Sequence, residues 1–390
     1  MRIAIVTETY PPEVNGVALT VAGLAHGLGA AGHRVQVVRP RQATAAPRDD
    51  GVETTVLTRG VRLPLYPGLR IGLPSTRRLR ALWKSVRPDA IYVATEGPLG
   101  QSALRAARAL DIPATTGFHT RFDDFARHYG LGVIAPAVFA YLRRFHRRGR
   151  ATLVPTVELR DFLDHSGFGN VILLRRAVNT RLFDPQRRDA ALRAAWGLGP
   201  DQLAVLHVGR IAPEKNLALA VRAFHAIRAV RPEAKFIWVG DGPGRAALQA
   251  QNPDFHFAGM QHGADLARHY ASSDLFLFPS LTETFGNVTL EALASGLPLV
   301  AFDYGAAREH LCDACGRRVP FGNADAFVIA ARELARDATH AAAMRAAARA
   351  AVAALDPQNV AINFAALLAN LARPAANDVN ASLSTNRSAP

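Results

Sequence analysis

Ile3-Ala4-Ile5-Val6-Thr7-Glu8-Thr9-Tyr10-Pro11-Pro12 opens the stretch that decides the fold. Its apolar residues run without a polar break and include β-branched side chains, as expected of a strand covered on both faces in a parallel sheet. After the loop to Gly16, Val17, Val21, Leu24 and Leu28 recur at helical spacing, Gly32 ends the helix, and residues 34–38 read as the next strand. This is a βαβ unit. Residues 90–94, 113–116, 151–155 and 171–174 read as further strands, with a helix at 99–110.

A second series follows the polar connection 184–201, with strands expected at 203–208, 235–239, 255–258, 275–279 and 299–302 and helices at 216–230, 264–272 and 288–295. Strands alternating with helices at this rhythm predict an α/β protein of two doubly wound, Rossmann-like domains facing each other across a cleft. The expected division is a first domain over 1–184, a second over 185–355, a helix at 356–373 crossing back to the first domain, and a disordered tail at 374–390.

The densest chemistry lies in Thr282-Glu283-Thr284-Phe285-Gly286-Asn287-Val288-Thr289-Leu290-Glu291, between a predicted strand and a predicted helix. Open α/β sheets bind ligands at the C-terminal ends of their strands, where Glu283 stands, and Gly286 lets a phosphate approach the unpaired helical N–H groups. Glu291, about one turn into the helix, is placed to accept hydrogen bonds from vicinal hydroxyls. Two spaced carboxylates also occur by chance, and a helical Glu is ordinarily a solvated face. Context comes from Gly209-Arg210-Ile211-Ala212-Pro213-Glu214-Lys215-Asn216, which sets two cations in a strand-to-helix loop. Arg supplies a planar fork and Lys a point charge, a pair suited to neutralising a departing diphosphate without metal. Gly240-Asp241-Gly242-Pro243-Gly244 marks another strand-end turn.

Together with Pro11-Pro12-Glu13-Val14-Asn15-Gly16-Val17, these blocks resemble, in order over about residues 1–372, the retaining glycosyltransferases of family 4, which have the GT-B fold. The resemblance implies a donor-binding second domain in which Arg210 and Lys215 bind the diphosphate, Glu283 the transferred sugar's hydroxyls and Glu291 the nucleotide ribose. Amides around Phe285, Gly286, Asn287 and Val288 would complete the phosphate cradle. In the acceptor-side first domain, Gly16 would let backbone approach the diphosphate. His119, in Thr116-Gly117-Phe118-His119-Thr120, matches the family's active-site histidine, although a histidine after a strand is otherwise ordinarily structural. Glu8 and Tyr10 are weaker acceptor-side candidates. One departure stands at Arg176-Ala177-Val178-Asn179, where the family commonly reads Arg-Gly-Val-Asp before the Phe-x-Pro element, here Phe183-Asp184-Pro185. The turn is expected to lack its usual glycine freedom.

The implied reaction moves a hexose from a nucleotide-diphosphate sugar with retention, the leaving diphosphate helping to deprotonate the acceptor. Relatives with similar blocks include GDP-mannose-dependent mannosyltransferases and enzymes that glycosylate diacylglycerol. The expected donor is therefore GDP-mannose, with UDP-glucose, UDP-galactose or UDP-glucuronate as the alternative, and the expected acceptor a membrane lipid or lipid-linked glycan. The base pocket is expected near Gly259-Met260-Gln261. No Asp-x-Asp triplet occurs, and the expectation is no obligatory metal or cofactor beyond the nucleotide-sugar co-substrate.

Composition narrows the rest. The 390 residues are 49% hydrophobic and include two cysteines, which excludes disorder throughout and a disulfide scaffold. Cys312 and Cys315 are expected to pair incidentally, and Asp123-Asp124 is a secondary candidate only. The short apolar run before Glu8 and the lack of about 18 uninterrupted apolar residues argue against a signal peptide and a spanning helix. With 46 basic and 32 acidic residues the net charge is +14, and only Lys84, Lys215 and Lys235 are lysines, a bias that a skewed genome also produces. The basic residues cluster, however. Arg59 to Arg87 holds eight with no acid, and Arg143, Arg144, Arg147, Arg148 and Arg150 form a second group. An anionic membrane surface is the expected partner, with a cytoplasmic enzyme lying peripherally on the inner face of the plasma membrane. An oxidoreductase would need Gly-x-Gly-x-x-Gly after the first strand, which Thr7 to Gly16 lacks. A nucleic-acid-binding protein has no zinc-finger or aromatic RNA-binding signature to support it.

Overall fold

The opening apolar run becomes β1 (Arg2–Val6) in the computed structural model, which describes residues 1–13, 15–42, 51–63, 66–119, 135–336 and 341–373. It is followed by β2 (Arg34–Pro40), β3 (Thr54–Thr58), a hairpin of β4 (Gly60–Leu63) and β5 (Tyr66–Gly72), β6 (Ala90–Val93), β7 (Ala114–Gly117), β8 (Thr152–Val154) and β9 (Val171–Leu173). Among the described residues the first sheet is seven-stranded and parallel, in the order β3-β2-β1-β6-β7-β8-β9. The helix Gly16–Ala30 joins β1 to β2, and Asn15 caps it by accepting from the Ala18 amide at 2.8 Å.

The second sheet comprises β10 (Ala204–Val208), β11 (Lys235–Val239), β12 (His256–Gly259), β13 (Leu275–Phe278), β14 (Leu299–Phe302) and β15 (Gly316–Val319). Its order is β12-β11-β10-β13-β14-β15, again parallel. In each sheet one strand has neighbours reached by turning opposite ways: β1 lies between β2 and β6, and β10 between β11 and β13. The loops after such strands diverge and leave a crevice at their carboxyl ends, where ligands bind. The loops after β1, β7, β10 and β13 carry the candidate residues.

The predicted strands are present within a residue or two, but β3, the hairpin, β15 and the helices Thr76–Ser85, Ala135–His146, Val157–His165, Ala190–Ala195, Arg245–Gln251 and Gly305–His310 were not foreseen. The hairpin reads as a Gly-, Pro- and Arg-rich loop, and the Thr76–Ser85 helix buries only Leu79 and Trp83. The glycine expected in the 176–179 turn is not needed. Ala177 is not among the residues with positive φ, so its methyl carries no strain there.

The helix Pro357–Ala372 returns to the first sheet, where Val360, Phe364 and Leu368 share a core with Ile3, Val21 and Tyr92. Contact with the Gly16–Ala30 helix is close enough that a Cβ on Gly27 would meet the Ala361 Cβ at 2.5 Å. By length and composition the helical stretch Ala342–Ala372 is apolar enough to cross a bilayer, with mean hydropathy 1.2, but polar residues punctuate it and its second half packs in the first sheet's core. Asp123-Asp124 and the tail from 374 lie outside the described residues.

Candidate active site

Two helix N-termini converge, one from each sheet. Gly16 is the first residue of its helix, and a Cβ there would lie 3.6 Å from Asn287 Nδ2, at the start of the helix Asn287–Ala294. Gly286, which caps the latter, has φ +92°, a left-handed conformation that glycine adopts without strain. The loop before it is held from behind. Buried Phe285 offers its carbonyl to the Ala306 amide at 2.7 Å, and its ring stands edge-on to His310 at 6.2 Å. Val288 packs against the second core. Free N–H groups and aligned peptide dipoles make such facing termini suited to an anion.

Lys215, from the loop after β10, forms an ion pair with Glu283, from the loop after β13. Glu283 also accepts from Ser280 Oγ at 2.9 Å, and Lys215 Nζ lies 5.9 Å from the Phe278 ring centroid. The two groups are thus one unit. Arg210 is half-exposed, with Glu214 at 3.6 Å. Glu291 is partly buried, accepts from the Tyr270 hydroxyl at 2.9 Å, and has its carboxyl pushed up to about 7 by desolvation.

His119 sits on the opposite wall. Arg176 Nη2 lies 2.7 Å from its Nδ1, and the Tyr92 hydroxyl 2.7 Å from its Nε2. Because a guanidinium only donates, Nδ1 must accept, and the neutral ring carries its proton on Nε2. Burial and the Arg176 charge hold the imidazole well below its ordinary pKa. Tyr92, His119, Arg176, Asn287 and Glu291 all line one cleft of about 810 Å³. Lys215, Arg210 and Glu283 are outside that lining.

Comparisons with known proteins bear on this arrangement. The family model described as Glycosyltransferase Family 4 matches residues 14–182, and the one described as Glycosyl transferases group 1 matches residues 202–337. A GDP-mannose-dependent alpha-mannosyltransferase of Mycobacterium tuberculosis is 36% identical over 313 residues, 79% of this chain and 81% of that protein. This chain is a family 4 glycosyltransferase. An alpha-monoglucosyldiacylglycerol synthase of Acholeplasma laidlawii is 28% identical, over 77% of this chain and 80% of that one. A sucrose-phosphate synthase of Thermosynechococcus elongatus has the same GT-B fold, with a TM-score of 0.75, 19% identity, and coverage of 95% and 98% of the two chains. The expected family, fold and enzyme class all hold, and a nucleotide sugar is the co-substrate.

In this glycosyltransferase Glu8 has a different task from the acceptor-side contact expected of it. Its carboxylate accepts from the Leu99 amide at 3.0 Å, at the start of the helix Pro98–Ala109, and from the Gly72 amide of the hairpin. Burial still pushes it up to about 7. Tyr10 is buried, with the Arg39 guanidinium 5.7 Å from its ring centroid. Near the expected base pocket, Met260 is exposed and Gln261 donates to the Ala258 carbonyl at 2.8 Å. Cys312 and Cys315 are free thiols with Sγ atoms 3.2 Å apart, and burial pushes the Cys315 thiol up to about 12, away from the reactive thiolate. Among the described residues no group of three or more His, Cys, Asp or Glu is arranged to hold a metal ion.

Three contacts escaped the sequence reading: Arg176 and Tyr92 on His119, and Tyr270 on Glu291. Each joins residues far apart in the chain, and no local spacing announces them. The basic clusters also divide. Arg150 donates to the carbonyls of Leu371 at 2.7 Å and Arg373 at 3.2 Å, so it serves the end of the returning helix. In the helix Thr76–Ser85, Arg77, Arg78, Arg80 and Lys84 are exposed, whereas Leu79 and Trp83 are buried inward.

Proposed function

We propose that this glycosyltransferase moves mannose from GDP-mannose, with retention, to a hydroxyl of a membrane lipid or lipid-linked glycan. The single observation that carries the site assignment is the convergence of the Gly16 and Asn287 helix N-termini beside the Lys215–Glu283 pair. The donor assignment is supported by the mannosyltransferase relative. On this reading the diphosphate lies between the two N-termini, with Arg210 and Lys215 neutralising it as it leaves. Glu283 holds the sugar's hydroxyls and Glu291 the ribose. The pairing of Lys215 with Glu283 matters, because one unit then orients the sugar and stabilises the leaving group.

His119 is assigned contact with the donor sugar and no proton transfer. Its Nδ1 lone pair is taken by Arg176 and its Nε2 carries the proton, so the ring has no basic nitrogen to spare. Deprotonation of the acceptor then falls to the departing diphosphate, which fits a front-face displacement. The exposed arginines of the Thr76–Ser85 helix are assigned to adsorption on an anionic membrane. Since Leu79 and Trp83 face the protein core, this adsorption is electrostatic and not insertive.

Incubating the purified enzyme with GDP-mannose, UDP-glucose, UDP-galactose or UDP-glucuronate and a lipid extract tests the reading. Transfer of label to lipid from GDP-mannose is expected. Transfer confined to a UDP-sugar would replace the donor assignment, and the glucosyldiacylglycerol synthase relative makes UDP-glucose the first alternative.

A further inference from the structure

Arg176 leaves β9 for the second domain and is 6% exposed. One of its nitrogens donates to His119, while Nε and Nη1 are buried and have no hydrogen-bond partner among the described residues. Among the described residues it forms no ion pair to a carboxylate, although Glu13 and Glu291 also line the cleft. Arg193, another buried arginine, shows how this fold ordinarily settles such a charge. It pairs with Asp274 at 2.9 Å and donates to the carbonyls of Ser272, Gly199, Pro200 and Gln202. Arg176 has nothing comparable. Burial lowers its pKa to about 10, with the Tyr92 hydroxyl as the one group that counteracts this, so the guanidinium is still charged at neutral pH. Burying a cation without a counter-charge costs several kcal/mol, and truncating a partner of a well-paired one costs about as much. A protein that keeps a lone cation on the wall of a ligand cleft recovers that cost when an anion arrives.

We infer that Arg176 forms an oxyanion subsite on the His119 wall of the cleft, which takes a phosphate or carboxylate group of a bound substrate. Its cation is additional to Arg210 and Lys215, which lie outside the lining of this cleft. The anion comes either from the donor's diphosphate or from an acidic group on the acceptor. That choice rests on the glycosyl-transfer reading; the subsite does not.

The test therefore has an arm independent of catalysis. Melting of the wild type, Arg176→Gln and Arg176→Lys is followed with sodium phosphate, pyrophosphate or acetate against chloride at equal ionic strength. A bound oxyanion at ten times its dissociation constant should raise the wild-type midpoint by about 2–4 °C. Arg176→Gln should lose at least half of that rise and Arg176→Lys should keep more of it, while neither variant melts lower in chloride. The kinetic arm compares diacylglycerol with phosphatidylinositol as acceptors. A donor KM raised roughly tenfold on both in Arg176→Gln assigns the anion to the donor, whereas a loss confined to the phosphate-bearing acceptor assigns it there. If Arg176→Gln keeps the full anion-induced rise, or loses kcat equally on every substrate with both KM values unchanged, Arg176 only positions His119 and the subsite is overturned. Wild-type enzyme that transfers sugar from no donor would sink the glycosyl-transfer reading and leave the melting arm readable.

Discussion

At single residues, what can be read from the chain is identity and what cannot is pairing. Lys215 and Glu283 stand out by their strand-end positions, yet only the fold makes them one ion pair. Lys215→Ala and Glu283→Ala should each lower kcat/KM by about 10²–10³-fold, as expected for groups that meet charge developing in the transition state. Melting temperatures measured alongside should move little, because neither side chain belongs to a core. Glu291 gives a pH prediction. Its carboxyl titrates near 7 in the folded protein against 4.5 for an unperturbed Glu, so the folded state holds that proton more tightly. The resulting stabilisation is complete below pH 4.5 and lost as pH rises through 7, by at most about 3 kcal/mol. Glu291→Gln, which can still accept from Tyr270, suffers no such loss. Its midpoint relative to wild type should rise between about pH 5 and about pH 8 in thermal denaturation. Glu8 shifts in the same direction in both proteins, so the difference isolates Glu291.

At the scale of elements, apolar runs such as Ile3 to Val6 and Leu275 to Phe278 are legible because a parallel strand needs cover on both faces. The Thr76–Ser85 helix is not, because its buried face is only Leu79 and Trp83, with Trp83 Nε1 donating to Gln36 at 3.0 Å. The rest of that helix is chemistry held outward. Replacing Arg77, Arg78, Arg80 and Lys84 by Gln should weaken sedimentation with phosphatidylglycerol vesicles by roughly two to three orders of magnitude, at about 1 kcal/mol per cation. Vesicle binding left intact by the fourfold variant would return the charge excess to compositional bias.

For the whole molecule, the α/β rhythm announces two sheets but not the distance between residues 119 and 364. The returning helix sets Phe364 edge-on to Tyr92 at 5.0 Å, and Tyr92 in turn holds His119. Phe364→Ala should cost about 3–5 kcal/mol by calorimetry or denaturant titration. It should also lower activity more than an equally destabilising change on the far side of the second sheet. The same return of the chain means that two strands of backbone pass between the domains, and they touch: the Val178 amide donates to the Leu355 carbonyl at 3.0 Å. Elsewhere between the halves, Glu309 accepts from the Val157 amide at 2.8 Å and Arg308 meets Glu158 at 3.2 Å. Two tethers pinned side by side are the one place about which the halves would turn in a hinge motion. Such a turn would part Glu158 from Arg308 and Gly16 from Asn287 most, and Arg176, two positions from the pin, least.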